Sequence, residues 1–545
     1  MAASAQMDSF DEEDPSFEGI QQKIENLRLT WRKYGFGPIL WACAQRAQDE
    51  QKTTDGLEYL RQLPFVNQRL AQWVLADQDC PEKGRSVLTR SAFEMLFQAT
   101  HEIVHGFAPT FLVKSRGVGA LRAIAFQQFE FQTAPRFDLL RQFFITNQLP
   151  PNHRLLSQSI FPNNLSGMDL ILGSHLLGVH AINSPGQPLT ALGLLARNPW
   201  FPKEKLNAIF EILGANQAQL RMRFSADGKK SISVLSAMHR PAFRSKPLFE
   251  ISKRKYVMWS PKLLLRSLGD VFIQSIRDAD DKNLIAEFGR VFETKYVSTA
   301  VKSLCHNFVS EADLKKFLQP NERVVDFLLN FGQTIILVES KIKDADEATQ
   351  SAFEDVQIGD RFKTSIIKAI DQGQSTAKLI RSGRFDGLGI NSDPNIFLLI
   401  VTTDQHYLGT GVDVAERTGK ERIARLVADY GGILPVPLEQ IVLLTADGLD
   451  FLTTLSQQGE TSILKFVEEM RDRELTADPS RRVMVGEQIL KISDPYALPS
   501  FLQDAENIWM ERAMTAYGGT GGRRVTLAFR NYYGRSPFVS NWPFA

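Results

Sequence analysis

Cysteine is scarce. Cys43, Cys80 and Cys305 are the only three in 545 residues, and no two stand in CxxC spacing. That excludes a disulfide framework and a thiolate zinc cluster, and it predicts a reducing compartment. No apolar run approaches the roughly 20 residues of a membrane span, and the acidic first residues are unlike a signal peptide. A cytoplasmic protein with no membrane partner is expected. A net charge is missing too: 63 basic against 62 acidic residues leave +1, so any polyanion must be gripped by a local excess. There is no repeat of fixed period, and spacing supports no Ser-His-Asp or Cys-His arrangement.

What is present is unevenly placed. Asp8, Asp11, Glu12, Glu13, Asp14 and Glu18 fall in the first twenty residues with no Lys or Arg, so 1–18 reads as an acidic mobile tail. Residues 19–220 carry helical periodicity over Gly19–Arg32, Ser86–Gly106, Ser166–Val179 and Lys203–Leu213, a mainly helical N-terminal domain. Between Arg221 and Arg266, twelve Lys or Arg stand against Asp227 and Glu250 alone. The stretch 221–261 reads as a basic junction with a hairpin turning at Asp227-Gly228. From 262 to 475 helices alternate with apolar strands: helices at Pro261–Arg277, Leu284–Leu304, Thr349–Arg381 and Val412–Tyr430, and strands at Asn395–Thr403 and Gln440–Thr445. This predicts an α/β domain, a small mixed sheet flanked by helices. Residues 476–545 read as a helical appendix ending in an aromatic, Arg-bearing tail with Arg523, Arg524, Arg530, Tyr532, Tyr533 and Trp542.

The most informative segment is 322–341. Two apolar runs, Val324–Phe331 and Thr334–Val338, flank Gly332, the pattern of a buried hairpin. Asp326 lies in the first run; Glu339 and Lys341 end the second. Residues two apart on a strand share a face, so Glu339 and Lys341 emerge together and the fold at Gly332 brings Asp326 across to them. Ionisable groups in apolar strands need a partner, and a metal ion is the expected one.

Asp326, twelve residues, then Glu339-Ser-Lys341 resembles the motif of the PD-(D/E)xK nuclease superfamily, the restriction-endonuclease-like fold; Val325 stands where that motif has Pro. The segment Phe288–Glu293 looks like the superfamily's first core helix, which often carries a metal-associated Glu. Lys368–Gln372 resembles its second, where Gln372 would face the site. The resemblance covers about 270–460. It implies a phosphodiesterase using Mg²⁺, with Mn²⁺ as substitute, held by Asp326, Glu339 and Glu293, and with Lys341 orienting water. It further implies DNA ahead of RNA as substrate, a 5′-phosphate product, and a homodimer or partner subunit for cutting two strands. A nuclease joined to a sensor-like helical module suggests antiviral defence against phage or plasmid nucleic acid. Arg221, Arg223, Lys229, Lys230, Lys253, Arg254 and Lys255 are then candidate contacts to the phosphate backbone. Phe224, Phe243, Phe249, Tyr256 and Trp259 among them would either stack on bases or sit in a core.

Two other classes compete. His101-Glu-Ile-Val-His105 is a literal HExxH, whose histidines share a helix face and could bind Zn²⁺ with Glu102 as general base of a peptidase. Phe111 stands where the longer metallopeptidase motif needs His, and Gly106 and Pro109 are expected to end the helix. The other class is a non-catalytic interaction protein with a nuclease-like core. Tyr517–Arg524 has the glycines of a phosphate loop without its Gly-Lys-Ser/Thr ending, so a linker is expected.

Overall fold

The computed structural model describes residues 15–50, 62–114, 126, 136–157, 160–184, 186–197, 201–226, 232, 241, 243–279, 282–342, 360–417, 420–475 and 497–517. It is a mixed α/β protein with many helices and two small mixed sheets. The described residues divide into two compact units, one drawn from Met1–Pro135 and Leu172–Val271, the other from Arg136–Ile171 and Phe272–Arg535. Among the described residues no helix is long and apolar enough to cross a membrane.

The first unit is helical, with a small sheet. Its strands are β1 (Leu189–Thr190), β2 (Gly214–Asn216), β3 (Leu248–Ser252) and β4 (Lys255–Met258), in the order β1-β4-β3-β2, with β2 and β3 parallel. The helix Lys203–Leu213 has the bounds its periodicity predicts. The helix holding the HExxH does not: it spans Arg90–Lys114, through Gly106 and Pro109. An interior proline disfavours helix by about 3 kcal/mol, yet here the local stop signal is overridden. The basic stretch also differs from expectation. Gln217–Ala226, rich in strong helix formers, is a helix and not a strand, while the Asp227-Gly228 turn lies outside the described residues. A hairpin does form in that stretch, further on, between β3 and β4.

The second unit is built on β5 (Phe308–Ser310), β6 (Phe327–Asn330), β7 (Thr334–Lys341), β8 (Asn395–Thr402) and β9 (Ile441–Thr445), hydrogen-bonded in that order. β5, β6 and β7 are antiparallel neighbours, while β7, β8 and β9 are parallel. Parallel neighbours require a crossover, supplied between β7 and β8 by the helix Ile366–Arg381. Alternation assigns the faces. Ile335, Leu337, Leu398 and Ile400 join one core with Ile366, Ala369, Ile370 and Ala377 of that helix. Ile336, Val338, Phe397 and Leu399 point the other way and are equally buried, so both faces are covered.

The turn falls where Gly332 permits it, at φ +83°. Gly373 has a different reason: a Cβ there would lie 2.5 Å from Leu398, so the helix sits on β8 with no space for a methyl group. Of the helix expected over Thr349–Arg381, Ile366–Arg381 is observed, and 343–359 lie outside the described residues. Of the expected Val412–Tyr430 helix, Gly411–Arg417 and Lys420–Asp429 are observed, and 418–419 lie outside the described residues. The stretch Lys282–Leu304 is α-helical at both ends, but Phe292–Val297 winds as a π turn.

Candidate active site

Strand register brings Asp326 to Glu339. Phe327 pairs with Val338 and Leu328 with Leu337, so Asp326, one residue ahead of β6, falls opposite Glu339. Asp326 shares a face with Leu328, and Glu339 with Leu337. The two carboxylates are therefore side by side under the helix Ile366–Arg381, Asp326 6 % exposed and Glu339 0 %.

Each group is tied down. The Ser340 amide and hydroxyl both donate to Oδ2 of Asp326, at 2.6 Å each. The Asp326 amide donates to Oε2 of Glu339 at 3.2 Å, and the Asp326 carbonyl accepts from the Glu311 amide at 2.7 Å. Lys341 Nζ donates to Oε1 of Glu339 and, at 3.1 Å, to Oε1 of Gln372. Gln372 donates in turn to the Val324 carbonyl at 3.4 Å. Gln374, two residues on, instead bonds both backbone groups of Val436, so Gln372 is the glutamine of this helix that reaches the site.

The electrostatics leave the pair short of positive charge despite Lys341. Burial, and then the neighbouring Asp326 charge, push Glu339 up to about 8 against the opposing pull of Lys341. Burial also raises Asp326, although both Ser340 bonds favour its ionised form. Glu293 is pushed up to about 7, by burial first and then by Asp326 and Glu311. Glu293 approaches along the helix Lys282–Val291: Gly289, one turn earlier, lies against Ile342, the residue after Lys341. Glu311 is the member that sequence reasoning missed. Ser310 caps the short helix it opens, accepting from the Asp313 amide, which signals a helix start but not what lies beside it.

Among the described residues no group of three or more His, Cys, Asp or Glu side chains converges closely enough to cage a metal ion. The donor set nevertheless suits one kind. Mg²⁺ keeps several waters and is commonly held by one or two carboxylates plus substrate phosphate. Two adjacent buried carboxylates, both displaced toward their neutral forms, are hard oxygen donors short of positive charge.

The predicted nucleic-acid contacts separate. Lys229 and Lys230 lie outside the described residues. Arg221 is turned inward, donating to the carbonyls of Asp77 and Gln78 and lying over the Phe36 ring. Arg223 is exposed. Lys253, Arg254 and Lys255 stand exposed on the β3–β4 turn, with no ion-pair partner among the described residues. The interleaved aromatics are core: Phe243 stacks on Trp259 with centroids 4.2 Å apart, and Phe224, Phe249 and Tyr256 are buried. They are not available to stack on bases.

In the HExxH helix the His101 and His105 rings stand 4.2 Å apart, and Gln98 donates to Glu102 at 3.2 Å. Burial, then His101, lowers His105 below its ordinary range. No third ligand completes the pair among the described residues. Comparison with protein-family models, with curated proteins and with solved structures gave no match.

Proposed function

We propose that this chain is a metal-dependent nuclease that hydrolyses phosphodiester bonds, with Asp326, Glu339 and Lys341 as its catalytic group. The observation that carries the reading is the buried Asp326–Glu339 pair, made adjacent by strand register and engaged by the Lys341 ammonium. The order helix, hairpin, helix, strand around it is the core order of the PD-(D/E)xK fold, which supports that assignment.

Asp326 and Glu339 would hold Mg²⁺, with Glu293 completing the shell through water. When bound, the ion polarises the phosphoryl oxygen and acidifies a water. The protein's part is positional and electrostatic. Ser340 fixes Oδ2 of Asp326, and Oδ1 accepts no hydrogen bond among the described residues. The ammonium of Lys341 is held between Glu339 and Gln372, its side chain 20 % exposed, where it can orient an attacking water and balance charge on the phosphate. DNA is proposed ahead of RNA, with Lys253, Arg254 and Lys255 as backbone contacts and a paired subunit for double-strand cleavage. Defence against foreign nucleic acid is the setting we infer from such a nuclease joined to a largely helical unit.

Purified protein incubated with plasmid, linear DNA and total RNA, with Mg²⁺ and with EDTA, tests the reading. Cleavage that needs the ion and disappears in Asp326→Ala and Lys341→Ala, with thermal unfolding nearly unchanged, is expected. Cleavage retained in either variant rejects the assignment.

A further inference from the structure

A buried polar cluster behind Glu293 has no part in the chemistry above. In the π turn Phe292–Val297, the Glu293 carbonyl accepts from the Ser298 amide five residues on. Such a turn inserts one residue into a helix. Relaxing it to α geometry would rotate Glu293 by roughly 100° relative to the helix on its C-terminal side. Its inner anchor is Tyr296, fully buried. The Tyr296 hydroxyl donates to Asp450 and accepts from Arg141 Nε at 3.0 Å, with the Ala446 carbonyl 3.2 Å away. Arg141 also binds Asp450 at 2.8 Å and Asp447 at 2.5 Å.

These groups come from three elements of the second unit: the helix Arg136–Asn147, the π turn, and the helix Ala446–Gln457. A buried ion pair is often no more stabilising than apolar side chains of the same volume. A directional hydroxyl does what apolar packing cannot, because it fixes the rotation of the turn about the helix axis.

We propose that Tyr296, clamped by Arg141 and Asp450, is a positioning residue that keeps the π turn wound so that Glu293 faces the Asp326–Glu339 pair. The inference rests on the nuclease reading and adds a residue with no contact to substrate or ion.

The test is a Mn²⁺ titration of the full chain, with free ion read by electron paramagnetic resonance. It compares wild type, Tyr296→Phe, Glu293→Gln and the double variant. Misplacing a supporting group typically weakens metal affinity 10- to 100-fold. About tenfold is expected for each single variant, and the double variant should bind no more weakly than Glu293→Gln alone. A purely structural tyrosine would lower the unfolding temperature without this dependence on Glu293. Losses that multiply in the double variant, or wild-type affinity in Tyr296→Phe, overturn the proposal. Wild type that fails to bind Mn²⁺ removes the nuclease reading itself, and the inference with it. Should Tyr296→Phe not fold, Arg141→Lys, which loses the Nε donor to the hydroxyl while keeping a charge beside Asp450, takes its place in the same cycle.

Discussion

Asp77 in the first unit and Glu339 in the second both have side chains 0 % exposed, and their surroundings treat them in opposite ways. Asp77 accepts from Arg28, from both sides of the Arg32 fork at 2.7 Å each, and from the Trp31 indole at 2.8 Å. Burial alone would raise it, but the bonds from Arg32, Trp31 and Arg28 outweigh that and hold it below the usual carboxylate range. Glu339 receives one ammonium, shared with Gln372, and one amide. It also faces a second carboxylate, and lies at about 8. A carboxylate saturated with donors is structure; one left short of charge has capacity for a ligand.

Exchanging the two outcomes by mutation gives the largest effects. Glu339→Gln should abolish ion-dependent cleavage of plasmid while leaving the unfolding temperature nearly unchanged near neutral pH, since burial and Asp326 already push that carboxyl toward its neutral form. Asp77→Ala should do the reverse: two arginines lose a buried partner, at about 3–5 kcal/mol, read as a lower midpoint in denaturant, with specific activity kept in the folded fraction.

Next in size is pH. The native Glu339 carboxyl titrates at about 8 against an ordinary 4.5, so between those values the folded state holds more protons than the unfolded. Stability must then fall as pH rises from about 4.5 through about 8. Glu339→Gln should flatten that slope in denaturant titrations at pH 5 and pH 8. Glu50 and Glu293, pushed up to about 8 and about 7 mainly by burial, contribute to both proteins and cancel in the difference. An equal slope in the two proteins would show that Glu339 is not the group responsible. Smallest is the effect of the β3–β4 turn. Each of Lys253→Ala, Arg254→Ala and Lys255→Ala that removes a phosphate contact should reduce the slope of log affinity against log salt by about 0.9. An unchanged slope excludes that cation from the interface.

The hairpin and its three ionisable residues were legible because strand alternation has a period of two and Gly332 marks the turn. Any register that buries Leu328 with Leu337 also juxtaposes Asp326 and Glu339. The packing of Arg136–Ile171 into the second unit was not legible, because helical periodicity shows which face is apolar and not what covers it. Nor could a π turn be read at Phe292–Val297, where a single displaced hydrogen bond leaves the apolar spacing nearly intact. The aromatics of the basic stretch were open to two readings. Phe243 and Trp259 resolve that choice by stacking in the interior, a tertiary outcome that no local window contains.

The close seat of Gly373 on Leu398 sets a mechanical tolerance for the site. Gln372 and Gln374 flank that glycine, one reaching Lys341 on β7 and the other the backbone of Val436, so the same short stretch of helix carries the close contact and both polar ties. Alanine at 373 would act as a wedge, lifting the helix from β8 and drawing the Gln372 amide off the lysine. Such a lesion would leave every ionisable group of the site in its place along the chain and yet slow the cleavage proposed for it.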